Sequence, residues 1–121
     1  MTLINRRIPN VIVPIDENSW TIFYNGNEIN GRYIALPIQR EDLKKIFETG
    51  FFNYLNTQFG ILIDEYEEDE ISGQVKLEEL RKIIIQYNMQ IINPILKFYF
   101  DKLLYLVDKA IKFNTVIMFY F

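Results

Sequence analysis

The run Thr115-Val-Ile-Met-Phe-Tyr-Phe121 is the strongest constraint on how this chain can fold. In a strand, successive side chains point to opposite faces, and here both alternating sets are apolar. Such a run reads as a strand covered on both sides. Left bare, it would template aggregation. The rest of the chain must therefore supply flanking strands and packing layers. Aromatic residues make up 16% of the sequence, so large rings have to provide much of that cover.

Candidate neighbours lie between residues 11 and 38. Val11, Ile12 and Val13 form a short apolar run, and Pro14, lacking an N–H, suits an edge or a strand end. Trp20-Thr-Ile-Phe-Tyr24 and Arg32-Tyr-Ile-Ala-Leu36 are both rich in β-formers. Asn25-Gly26 and Asn30-Gly31 separate them, and either pair fits a type I′ turn. These features predict a hairpin, with the choice of turn left open.

From Arg40 the period becomes helical. Leu43, Ile46 and Phe47 share a face, and Glu41 and Asp42 suit a helix N-terminus. Phe51, Phe52, Leu55 and Phe59 repeat the spacing, with Gly50 and Gly60 as stops, giving two short helices or one bent one. Leu77, Leu80, Ile84, Tyr87 and Ile91 predict a further helix, with Glu78 and Glu79 in its first turn. Asn93-Pro94 closes it and opens the next, with Asn93 as N-cap and Pro94 at N1. At about 100° per residue, the charges of Pro94–Lys112 gather on one arc and nearly all its apolar residues on the other. Phe98 and Tyr105 are exceptions inside the charged arc. The expected fold is α+β: one domain over residues 1–121, mainly antiparallel sheet with an N-terminal hairpin and the C-terminal strand, packed with about four helices.

Missing residue types narrow the chemistry. Without Cys there is no disulfide, thiolate nucleophile or Cys-bound zinc; without His the commonest general base and metal ligand are gone. Only Ser19 and Ser72 carry serine hydroxyls, so no Ser–His pair can form. The five glycines contain no P-loop or dinucleotide pattern. No catalytic residue, metal ligand or cofactor is expected. Lys97, Asp101, Lys102, Asp108, Lys109 and Lys112 interrupt the most apolar stretch and argue against a membrane span. A cytoplasmic location suits the lack of Cys.

Acid is concentrated in one place. Six carboxylates, Asp64, Glu65, Glu67, Glu68, Asp69 and Glu70, surround Tyr66 in seven residues. Asp64–Glu79 holds eight acids and one base, a local charge of −7; the remainder, with twelve bases and eight acids, carries +4, giving −3 for the chain. Four readings compete. The run could be a solvated loop. As a calcium loop it fails, because the third, sixth and twelfth positions from Asp64 are Tyr66, Asp69 and Val75. Paired acid–base catalysis needs carboxyls in separate environments, which a contiguous run beside solvent does not supply. The last reading is a docking patch for a basic protein, with Tyr66 as its anchor.

The stretches GFFNYLNTQFGILIDEYEEDEI (50 to 71) and LEELRKII (77 to 84) resemble bacterial contact-dependent growth inhibition (CDI) immunity proteins. That resemblance implies a small cytoplasmic antitoxin that binds and blocks the C-terminal domain of a cognate toxin, frequently a nuclease with a basic cleft. Residues 64–70 would then stand in for nucleic-acid phosphate, and the protein would not touch nucleic acid directly. Lys97, Phe98, Lys102, Tyr105, Lys109 and Lys112 mix bases with rings as nucleic-acid platforms do, but Asp101 and Asp108 share their arc, favouring a wet helix face. The alternative function is a self-associating structural or regulatory module, joined through the C-terminal strand or the Phe98/Tyr105 face; homo-oligomers remain open.

Overall fold

The computed structural model describes residues 8–24 and 32–121. Strands β1 (Asn10–Pro14), β2 (Tyr33–Pro37), β3 (Glu68–Ser72) and β4 (Val116–Tyr120) form one sheet in the order β2-β1-β4-β3, antiparallel throughout. Helix α1 (Glu17–Tyr24) connects β1 towards β2. Helices α2 (Arg40–Glu48) and α3 (Phe51–Phe59) follow β2, and α4 (Gln74–Gln90) and α5 (Pro94–Phe113) lie between β3 and β4. The α+β class, the N-terminal strand pair and the C-terminal strand agree with the sequence, and the described helices number five.

The identity of the N-terminal pair differs from the expected one. Tyr33–Pro37 is a strand, but its partner is Asn10–Pro14, with Val11 opposite Leu36 and Val13 opposite Ile34. Trp20–Tyr24 belongs to α1. Local capping explains the reversal of its β-rich composition. The Asp16 carboxylate accepts from Ser19 N at 2.7 Å, while the Trp20 N–H donates to Asp16 O at 3.1 Å. Together they satisfy two N–H groups of the first turn. The Ser19 amide, then the Ser19 side chain, hold the Asp16 carboxyl below its usual pKa. The Asn25-Gly26 and Asn30-Gly31 turns lie outside the described residues.

Ladder partners in an antiparallel sheet share a face. On one face Val11, Val13, Leu36, Ile71, Ile117 and Phe119 pack in the main core with the apolar sides of α2 to α5. On the other, Ile12, Val116 and Met118 form a second cluster with Trp20 of α1, Tyr33 and Tyr120. β4 lies between β1 and β3 with both faces covered, which accounts for its unbroken apolar run. Pro14 ends β1, and the buried Thr115 hydroxyl donates to its carbonyl at 2.8 Å, continuing the contact by a side chain.

The helices follow the punctuation in the sequence. Asn93 caps α5 with its side-chain oxygen accepting from Ile95 N (2.9 Å) and Leu96 N (3.2 Å), and Pro94 occupies the first turn. Gly50, at φ 84°, both ends α2 and opens α3, so the region is two helices. α4 begins at Gln74, which moves Glu78 and Glu79 out of its first turn. The buried side of α5 is Leu96, Tyr99, Phe100, Leu103, Leu106, Val107 and Ala110. Its Tyr99 phenol donates to Asp42 of α2 at 2.9 Å; burial, then this bond, raises the phenol's pKa. Among the described residues no helix is long and apolar enough to cross a membrane.

Candidate functional site

The acidic run is part turn and part strand. Gly60, at φ 64°, ends α3. The chain then passes through residues 61–67 and enters β3, the edge strand beside β4. Glu68, Asp69 and Glu70 therefore lie on a strand, which departs from a purely loop-like run. Cross-strand register places Glu68 and Glu70 on the face of Tyr120 and Met118, and Asp69 on the face of Phe119. Charged side chains on an edge strand also discourage edge-to-edge pairing, so part of this acid has a structural use.

Three sets of contacts give the turn a defined shape. Asn56 of α3 makes two bonds to Ile63: its Nδ2 donates to Ile63 O at 2.9 Å and its Oδ1 accepts from Ile63 N at 2.6 Å. This imitates one rung of a sheet ladder and lets buried Ile63 anchor the approach to the acids. Asp69 closes the other side, its two oxygens accepting from Leu62 N and Glu70 N, each at 2.8 Å. Glu67 N donates to Asp64 O at 3.2 Å, and Phe121 N donates to Glu67 O at 3.0 Å. Asn56→Ala should remove both bonds to Ile63. We expect it to lower stability by about 1–3 kcal/mol in urea melts and to speed amide exchange at 61–67 ahead of the core.

Tyr66 stands at the centre of the turn with φ 63°, a left-handed conformation uncommon for a bulky residue. Its ring is stacked on Arg40, whose guanidinium carbon lies 4.3 Å from the ring centre. Arg40 also donates to Phe121 O at 2.9 Å, linking the start of α2, the turn and the end of β4. Tyr66 remains 75% exposed and Leu62 58% exposed, so two large apolar side chains stand beside the carboxylates.

The seven proposed residues are consecutive in the sequence, and the structure gives them different tasks. Asp69 staples the turn, and Asp64 accepts from Glu65 N at 2.8 Å. Asp64, Glu65 and Glu67 make no ion pair among the described residues. No group of three carboxylates there converges as a metal site. Sequence reasoning did not single out Arg40, Asn56 or Leu62. Arg40 acts between segments that meet only in the fold, while Asn56 and Leu62 act within seven residues of their partners but carry no recognisable motif.

The lysine–aromatic face of α5 is internally partnered. The ammonium of Lys102 lies 5.6 Å from the Phe98 ring centre, and that of Lys109 lies 5.2 Å from Tyr105 and 5.9 Å from Phe113. Asp108 pairs with Arg81 of α4 at 2.6 Å. These i,i+4 and interhelical contacts fit a solvated helix face. No family model, curated protein or solved structure matches the chain.

Proposed function

We propose that this protein is a non-catalytic immunity protein that binds a basic bacterial toxin domain through the acidic segment 64–70 and blocks it. The observation that carries the reading is the ordered turn on which Tyr66 and Leu62 are exposed beside Asp64, Glu65 and Glu67. A turn held by Asn56, Asp69 and Arg40 loses little conformational freedom on binding, which favours affinity. Carboxylates supply long-range steering towards a positive surface, and an exposed ring supplies contact area at the centre. A nuclease cleft, shaped to hold phosphate, offers the complementary charge.

Co-expression with the toxin domain encoded immediately upstream tests this reading. Cells should survive, and the two proteins should purify together. Death of the cells, or survival without physical association, would contradict it. The competing reading, self-association without a toxin, has its best support in the half-exposed Phe98 and Tyr105. The other route, the C-terminal strand, has less support, because β4 is already paired with β1 and β3. A stable dimer abolished by altering Phe98 and Tyr105 would favour that module.

A further inference from the structure

The two edges of the sheet are guarded differently. β3 carries Glu68, Asp69 and Glu70, charges that oppose pairing with a further strand. β2 has no charge between Tyr33 and Pro37, and among the described residues it pairs with β1 alone. Arg32 O accepts from Ile15 N at 3.1 Å and Ile38 N donates to Pro9 O at 2.8 Å, so the even-numbered residues here turn their backbone groups to β1. Ala35 turns its N–H and C=O the other way, and neither has a partner among the described residues. A groove of about 160 Å³ lies beside this edge, where Ile34 and Leu36 meet Leu106, Tyr105 and Lys102 of α5.

We propose that this edge binds an extended segment of a partner protein as an added strand, with an apolar side chain in the groove and a carboxylate two residues along beside Lys102. Main-chain bonds to Ala35 hold such a strand, and the groove selects its side chains. Positions two apart in a strand share a face, so the apolar group and the carboxylate both point towards α5. The charge on that wall is positive. Lys102 is the one charged residue lining the groove among the described residues, and Lys109 lies 5.2 Å from the Tyr105 ring. The nearby acids are engaged elsewhere, Asp101 by Asn88 at 2.7 Å and Asp108 by Arg81 at 2.6 Å. The same charge disfavours a second copy of this chain, because two-fold pairing about Ala35 would bring two Lys102 side chains together. The proposal is independent of the acidic segment, which borders the opposite edge.

The test titrates the full-length chain, labelled with 15N, with acetyl-Thr-Thr-Leu-Thr-Glu-Thr-Thr-amide. The amides of Ala35, Tyr105 and Leu106 should shift, and exchange at Ala35 should slow. Methylating the peptide nitrogen of the threonine between Leu and Glu, which faces Ala35 in an antiparallel pairing, should weaken binding about tenfold. Replacing the peptide's Glu with Lys should weaken it about two- to fivefold, and Lys102→Glu, an exposed change, should reverse that preference. Silence at Ala35, equal binding of the methylated peptide, or an unchanged preference in Lys102→Glu would overturn the proposal and leave the acidic-turn reading standing. Sedimentation showing a dimer that the peptide does not dissociate would assign the edge to a second copy and overturn it as well.

Discussion

Phe52→Ala should destabilise the protein by about 3–5 kcal/mol, a large part of the roughly 5–15 kcal/mol that holds a domain of this size. Phe52 is fully buried in α3. Its ring centre lies 4.8 Å from Phe47, 5.2 Å from Phe51, 5.1 Å from Phe121 and 6.1 Å from Phe119. It therefore joins α2, α3 and β4 at one point. Truncation removes the transfer energy of a whole ring and leaves a hole lined by other rings, whose planar faces cannot easily collapse inward. A urea titration should show the midpoint falling steeply with the slope retained, since the surface exposed on unfolding barely changes. A loss below about 1 kcal/mol would mean that this ring cluster is not the centre of the core.

Met118→Asp should be at least as severe, costing about 4 kcal/mol or more, so that soluble folded protein is scarce. Met118 is buried on the second face of the sheet, clustered with Ile12 and Val116 and opposite Glu70 in the ladder. A carboxylate there loses its hydration and meets a like charge on the neighbouring strand. The substitution tests whether β4 is covered on both sides. If α1 and Trp20 did not cover the second face, the introduced carboxylate would reach water and circular dichroism melts would change little. A mild outcome would leave the main core intact but refute the second layer.

These two sites also show how far the sequence speaks for the fold. β4 was legible because a strand apolar on both faces admits only one environment. α5 was legible because Asn93-Pro94 marks its start and its charges gather on one arc. Helix α1 was hidden because Trp20–Tyr24 has the composition of a strand, and a single cap at Asp16 outweighs that composition. The strand half of the acidic segment was hidden for the opposite reason: Glu68, Asp69 and Glu70 have low β propensity. β4 leaves an edge for them to pair with, and Ile71 anchors the strand in the main core. Among the candidate site residues, the clustering of acid around Tyr66 could be read directly. The division of labour could not, because Arg40 reaches the turn from 26 residues away and the Asn56 bonds to Ile63 depend on how the end of α3 folds back on the chain.

That division determines how the acidic surface should be altered. Asp69 holds Leu62 N, so changing it would confound charge with shape. The informative variant keeps Asp69 and the strand residues Glu68 and Glu70, and replaces Asp64 with Asn and Glu65 and Glu67 with Gln. The most direct measurement is its association rate with the purified basic toxin domain proposed as its partner, by stopped flow across a range of salt, beside that of the unaltered protein. Our account predicts roughly ten- to a hundredfold slower association at low salt and a much flatter salt dependence, with thermal stability preserved. Equal rates and equal salt slopes in the two proteins would show that the negative charge at this edge of the sheet does not guide binding.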